Sequence, residues 1–233
     1  MCLVKGIGGG FAHKLEARIE KIRLELLNMQ TVETAYFRYG DEAVRYLSKA
    51  DPLLGTAMKR IGCVERETIP DLFAALIYAI IGQLISTKSA WTIWMRMQAQ
   101  FGEITAEHLA SESEDTIQRC GMTMKKAVCI CENARLIADG QFDLDELRTL
   151  PDEEVVEHLC TLKGVGRWTA EMLLIHSMER PDVVSWGDIA IKRGMCRLYG
   201  LKAITKQQFE TYRCRYSPFG SVASIYLWHL SSE

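Results

Sequence analysis

The chain has 233 residues, 48% hydrophobic and 25% charged, a composition that supports one or two sizeable cores and is not that of a disordered chain. No apolar run is long enough to span a bilayer and no secretory signal with a small-residue cleavage site opens the chain, so a cytoplasmic protein without membrane contact is expected. The formal net charge of −2 gives no chain-wide attraction to nucleic acid.

In chain order, the first thirty-odd residues differ from the rest. The GIGGG run at 6–10 has neither G-x-G-x-x-G spacing nor a preceding strand, which argues against a dinucleotide site. Residues 13–29 read as a charged, amphipathic stretch. Together they suggest an N-terminal extension over 1–33, with a peripheral helix, ahead of a domain over 34–233. Glycine, proline and capping residues then cut the chain into about ten helical pieces. Pro70 and Asp71 open a helix in which Leu72, Phe73, Leu76, Ile77, Ile80 and Ile81 recur with helical period. Ser86-Thr87-Lys88 breaks it, and Trp91, Trp94 and Met95 carry the next. A third piece ends at Gly121, and a fourth runs over 123–140. Pro151 heads a short acidic helix ending near Cys160. A further helix is expected from Arg167 to about Met178, then a loop over 179–187 and a helix over 188–199. Thr205 and Gln208 form a capping box for the next, and Ser217-Pro218 starts the last, which carries Tyr226 and Trp228. Period-two alternation is nearly absent, so the expected class is all-α.

Eight cysteines include no C-x-x-C pair, and reduced, mostly buried thiols are expected. Between Ile189 and Leu230, seven Lys or Arg face a single acid, Glu210. That asymmetry suits a solvated surface or one turned toward phosphates.

The run LKGVGRWTAEM, residues 162–172, carries the chemistry. Two glycines in a turn directly before a helix leave amide N–H groups pointing outward with the helix dipole behind them, which suits an anion. The glycines permit positive φ and let a phosphate oxygen approach without meeting a Cβ. The short helix ending at Cys160, the turn and the helix after Arg167 form helix–hairpin–helix, with the hairpin at 160–170. On its own, the same pattern also fits an ordinary helix–turn–helix connection.

Three blocks, AIIGQLISTKSA (79–90), LKGVGRWTAEM (162–172) and VVSWGDIAIKRGM (183–195), resemble the helix–hairpin–helix/Gly-Pro-Asp superfamily of DNA glycosylases. A fourth, YSPFGSVASIYLWHL (216–230), resembles the closing helix of its AlkA/Mag-type 3-methyladenine glycosylases. The likeness runs from about residue 34 to the end. It departs from the family pattern in Ser185-Trp186-Gly187, which places no proline beside the aspartate. No β-rich N-terminal domain precedes the helices, as in the shorter Mag-type members. The resemblance implies two packed helical subdomains with a catalytic cleft between them, and a catalytic loop and helix over 181–199.

It further implies a monofunctional glycosylase of base excision repair, of the DNA-3-methyladenine glycosylase II type, acting as a monomer on double-stranded DNA with damaged bases. Family members that also cut the backbone place a lysine at the seat held here by Trp168. Arg167 stays protonated and Lys163 lies on the wrong side of the turn, so no AP lyase activity is expected. Cys196 and Cys214 are too far apart for the four-cysteine iron–sulfur loop of the endonuclease III relatives. No cofactor is expected beyond a Na+ or K+ ion on the main-chain carbonyls of Leu162 and Val165.

Cleaving a glycosidic bond develops positive charge on the sugar, and a fixed carboxylate beside C1′ stabilises it. Asp188 opens a helix after a glycine-containing loop, where aspartate also serves as an N-cap; the resemblance makes it the catalytic acid. Trp168, Trp228 and Met172 match base-pocket positions, with π faces suited to a cationic alkylated purine such as 3-methyladenine or 7-methylguanine. Tyr226 and Trp186 read as structural. A flipped base leaves a hole in the stack; Leu84 matches the wedge that fills it, with Gln83 bonding the estranged base or the backbone. Gly164, Val165, Gly166, Thr169 and Arg193 are the expected phosphate contacts. Two other readings stay open. One is a glycosylase for hypoxanthine or oxidised purines, which would need donors to the base edge that the sequence does not identify. The other is a non-catalytic helix–hairpin–helix DNA-binding module.

Overall fold

A computed structural model describes residues 31–233; the GIGGG run and the stretch 13–29 lie outside the described residues. From Thr31 the chain is already fastened to the helical body. The Thr31 and Val32 amides both donate to Oε1 of the buried Gln98, at 2.8 and 3.0 Å.

Twelve α-helices and one short 3-10 turn account for nearly all regular structure in the described residues. Two strands, β1 (Ala35–Tyr36) and β2 (Glu67–Thr68), pair antiparallel with Ala35 opposite Thr68. Between them lie α1 (Asp41–Ala50) and α2 (Pro52–Ile61). The pairing is too short to leave an alternating pattern, so the all-α expectation missed it without being wrong about the class.

The helix α3 (Leu72–Gly82) is apolar on every side, and it is the spine of the molecule. Asp71 caps it by accepting from the Ala74 amide, and all six periodic residues read from the sequence are buried. Against it pack α4 (Thr87–Phe101), α7 (Met124–Ala138) and α9 (Arg167–His176), while α5 (Ala106–Ser111) and α6 (Glu114–Gln118) lie on α7 and α8 (Asp152–Leu159) lies on α9. Ser86, Thr105, Ser113 and Thr123 each cap the helix that follows by accepting an amide N–H three residues on.

A second group joins the two ends of the described chain: α1 and α2 pack with α10 (Ile189–Tyr199), α11 (Lys206–Tyr216) and α12 (Gly220–Ser232). Buried Asp51 ties it together. Its Oδ1 caps α2 through the Leu54 amide, while Oδ2 accepts from the Tyr199 hydroxyl at 2.6 Å and the Arg215 guanidinium at 3.1 Å. Helices α10 and α12 pack in close contact. A Cβ at Gly194 would lie 2.1 Å from the Leu227 carbonyl oxygen, so only glycine admits this packing. Two helical groups with a cleft between them is the arrangement the resemblance implied.

Several boundaries differ from expectation. The helix from Arg167 ends at His176 instead of Met178. There the chain tightens: the Ser177 and Met178 amides both donate to the Leu173 carbonyl, and Glu179 has a φ of 49°. The last helix starts at Gly220, not Ser217. The Asp182 carboxylate holds both the Ser217 hydroxyl (2.6 Å) and the Gly220 amide (3.0 Å), so the chain turns before it coils. The capping box of Thr205 and Gln208 is present as read.

Candidate active site

The glycine hairpin is fastened from behind by α7. Asn133, buried, donates to the Lys163 carbonyl at 3.0 Å and accepts from the Lys163 amide at 2.9 Å. Gly164 has a φ of 77°, and a Cβ there would lie 2.8 Å from Cys129 Sγ. Both facts require glycine. Gly166 is the N-cap of α9 with no side-chain cap, and open space surrounds it. The first amides of α9 are therefore uncovered and face outward.

Not every residue expected at a phosphate is free to serve. The Val165 amide donates to the Leu162 carbonyl at 3.1 Å, closing the turn. Thr169 is buried and its hydroxyl oxygen accepts from Gln83, so only its amide can face an anion. Gly164 and Gly166 stay exposed, as does Arg193 on the neighbouring α10.

Asp188 performs two tasks at once. Its Oδ1 caps α10 by accepting from the Ile191 amide at 2.9 Å, and its Oδ2 accepts from the Trp168 indole N–H at 3.0 Å. It is 6% exposed and borders a cavity of about 500 Å³. Trp168, 38% exposed, forms the rim. The loop before the aspartate is held by small residues of α12. Ser221 donates to the Arg180 carbonyl and accepts from the Val183 amide, and Ser224 donates to the Val183 carbonyl.

The cavity lies between the two helical groups. Tyr78 of α3, Trp91 and Trp94 of α4, and Trp168, Met172 and His176 of α9 line one side; Asp188 and Trp228 line the other. The expected base-pocket residues Trp168, Trp228 and Met172 thus share one cavity with the acid. His176 stacks on Trp228, centroids 5.3 Å apart and planes 21° from parallel. Burial, reinforced by the charge of Arg66, pushes the imidazole down to about 3, so it is neutral near pH 7. Burial also raises the Tyr78 phenol, which stays protonated. The Arg66 guanidinium lies 4.6 Å from the centre of the Trp228 ring.

Tyr226 and Trp186 are structural, as read. Tyr226 is buried with its hydroxyl on the Gly62 carbonyl at 2.8 Å. Trp186 meets Phe209 edge-on beside a second, charged hollow and carries Lys192 over its face.

Beside the cavity, the chain leaves α3 through Gln83 and Leu84. Leu84 is fully exposed at a φ of 59°, a conformation that L-residues with bulky side chains rarely adopt. Gln83 does not point freely outward. Its Nε2 donates to the Gly164 carbonyl at 2.9 Å and to Thr169 Oγ1 at 3.1 Å. Lys126 closes the end of α3 by donating to the Ile81 and Gln83 carbonyls.

Residues 77–217 match the HhH-GPD superfamily of base excision DNA repair proteins. The chain belongs to this superfamily. It is 32% identical over 166 residues to DNA-3-methyladenine glycosylase 1 of Schizosaccharomyces pombe, covering 68% of this chain and 72% of that one. It is 25% identical over 197 residues to a DNA-3-methyladenine glycosylase of Bacillus subtilis, covering 79% and 65%. The solved structure of S. pombe 3-methyladenine DNA glycosylase in complex with abasic DNA superposes with a TM-score of 0.74 at 29% identity. That superposition covers 82% of this chain and 97% of that one.

Within the HhH-GPD frame, the sequence reading gave no pocket role to Arg66, Tyr78, Trp91, Trp94 or His176, all of which line the cavity. For His176 a signal existed, since 168, 172 and 176 recur at i, i+4 and i+8 on one face of α9. For Tyr78 the signal was its place on the helix of the first family block. Arg66 had none; it enters from the connector before β2.

Proposed function

We propose that this HhH-GPD protein is a monofunctional DNA glycosylase that removes alkylated purines from double-stranded DNA. The observation that carries the reading is the Asp188 carboxylate, oriented by the Trp168 indole at the edge of an aromatic cavity of about 500 Å³. A purine flipped from the duplex enters between Trp168 and Trp228, and Leu84 fills the vacated stack. The C1′–N bond breaks, its electron pair leaves with the base, and the Asp188 charge stabilises the sugar cation until water adds. A cationic base such as 3-methyladenine or 7-methylguanine departs neutral and is held by π faces meanwhile. The phosphate backbone is taken by the outward amides of Gly164, Gly166 and the first turn of α9, with Arg193 adding charge.

The proposal excludes AP lyase chemistry on the side chains present. No lysine lines the cavity. Arg167 is committed to Glu153 and Glu171, Lys163 to Glu132, and Lys126 to main-chain carbonyls. A Na+ or K+ ion on the hairpin fits the donor set. The Leu162 carbonyl accepts only from the Val165 amide, and the Val165 carbonyl has no protein donor among the described residues. Such an ion would fix the turn and add positive charge beneath a phosphate. Replacing K+ by tetramethylammonium at fixed ionic strength should then weaken abasic-duplex binding about tenfold; equal affinity removes the ion from the proposal.

We propose a monomer acting in the cytoplasm; among the described residues no helix is long and apolar enough to cross a membrane. The decisive assay incubates a methylated duplex with wild type and Asp188→Asn. Wild type should release free 3-methyladenine and 7-methylguanine, with strand breaks only after alkali. Asp188→Asn should keep duplex binding and lose at least about a hundredfold in rate. Equal rates would reduce Asp188 to a helix cap, and no base release from either protein would leave a non-catalytic DNA-binding module. Borohydride trapping of a covalent adduct would refute the monofunctional assignment.

A further inference from the structure

Trp168 borders both the aromatic cavity and the second, charged hollow, whereas Glu153, Arg167 and Glu171 line only the hollow. These three form a line of charges that ends on the loop carrying the acid. Arg167 presents both terminal nitrogens to the Glu153 carboxylate of α8, at 2.7 Å each. Its Nε donates to Glu171 Oε1 at 3.0 Å, one helical turn further along α9. The other oxygen of Glu171, Oε2, accepts from the Ser185 hydroxyl. Ser185 is fully buried, and the Glu171 side chain is only 14% exposed. A hydrogen bond to an ionised carboxylate is stronger and more directional than one between neutral groups. Because Arg167 fixes the second oxygen, the carboxylate is itself held while it holds the serine.

Ser185 matters because of what its backbone does. Its carbonyl accepts from the Asp188 amide at 3.3 Å, closing a turn that delivers the acid to the cavity. The serines of α12 hold the loop as far as Val183, and Trp186 leans on Phe209. Gly187, directly before the acid, passes so close to α9 that a Cβ would lie 3.2 Å from Trp168 Cβ. With no side chain admitted there, the turn must be anchored from its other end, at Ser185. Trp168 and Glu171 stand three residues apart on one face of α9. That face therefore grips the catalytic loop twice: Trp168 takes the carboxylate of Asp188, and Glu171 takes the turn behind it.

We propose that Glu171 is a positioning residue, which acts through the Ser185 hydroxyl to set the Asp188 carboxylate at the distance from the sugar that base release requires. The inference deepens the glycosylase reading and rests on it. Neither Glu171 nor Ser185 lines the aromatic cavity, so their loss should act on the rate of bond breaking and spare the grip on the duplex. A displacement of about 1 Å at such a group costs on the order of a hundredfold in rate.

The test measures saturating single-turnover release of 7-methylguanine, affinity for an abasic duplex and melting temperature. It compares wild type, Ser185→Ala, Glu171→Ala and the double variant. Each single variant should release base at least about tenfold more slowly, with duplex affinity within about twofold of wild type. The double variant should be no more than about threefold slower than the slower single, because both remove one link. A smaller fall in rate overturns the proposal, as does a matching loss of rate and affinity, which a merely structural role would produce. Multiplying losses in the double variant break the connection between Glu171 and Ser185 and also overturn it. If one single variant does not fold, the other decides alone by the split between rate and affinity. Wild type that releases base while the variants keep pace overturns the role of Glu171 and leaves the glycosylase standing. Wild type that releases no base overturns both.

Discussion

Trp168 shows how one side chain can serve as both wall and orienter. Its ring borders the cavity while its N–H fixes the Asp188 carboxylate. Trp168→Phe keeps an aromatic wall and deletes the donor, so the carboxylate loses one of its two fixed contacts. A hydrogen bond to a charged group is worth about 1.5–3 kcal/mol, which corresponds to a fall of roughly ten- to a hundredfold in single-turnover rate with duplex affinity little changed. An equal loss in affinity and rate would mean that the indole only binds. At this scale the sequence was informative wherever a motif spans the residue: Asp188, Trp168, Met172 and Trp228 were all named before the fold and share one cavity. Arg66 was illegible because nothing local marks it. Its neighbour Trp228 lies 162 positions away along the chain, and only the docking of the two helical groups brings them together.

Among the elements, the turn after α3 carries the clearest conflict between stability and use. A leucine at φ 59° with its side chain wholly in water satisfies neither backbone nor hydrophobic preference. Leu84→Gly should raise the stability of the free protein by about 1 kcal/mol, the usual penalty for a side chain in the left-handed region, while lowering base release at least tenfold because nothing then fills the stack. Urea midpoints and single-turnover rates measure the two effects, and the idea fails if both move in the same direction. Caps and periodicity located most helices because those signals act within one turn of chain. The ends near His176 and Gly220 were misplaced because tertiary contacts set them: the Asp182 carboxylate halts the chain before α12 through atoms 35 and 38 positions away.

On the scale of the whole molecule, the burial that makes the cavity also makes the fold sensitive to acid. His176 has an ordinary value of 6.5 and is pushed down to about 3 in the folded protein. Between those values the unfolded chain binds a proton that the native state does not, so stability rises with pH through that window and is lost as pH falls from about 6.5 toward 3. The slope from this group is at most about 1.4 kcal/mol per pH unit. Melting temperature should therefore drop on acidification below pH 6.5 more steeply in wild type than in His176→Gln. Parallel curves would place the acid sensitivity elsewhere. The overall architecture was readable as all-α with a hairpin and a following acid. That α1 and α2 join the last three helices was not, because such closure depends on Asp51 meeting Tyr199 and Arg215 across 148 and 164 positions.

The amide of Gln83 reaches from the turn that presents Leu84 to the carbonyl of Gly164 and the hydroxyl of Thr169. The leucine that we propose as the wedge and the hairpin that we propose as the phosphate handle are thereby held at one spacing by the fold itself. Ordering these parts is completed during folding, so meeting DNA requires little further loss of freedom. On that proposal the two parts act as a rigid gauge along a duplex, stalling where a weakened base pair lets the leucine enter.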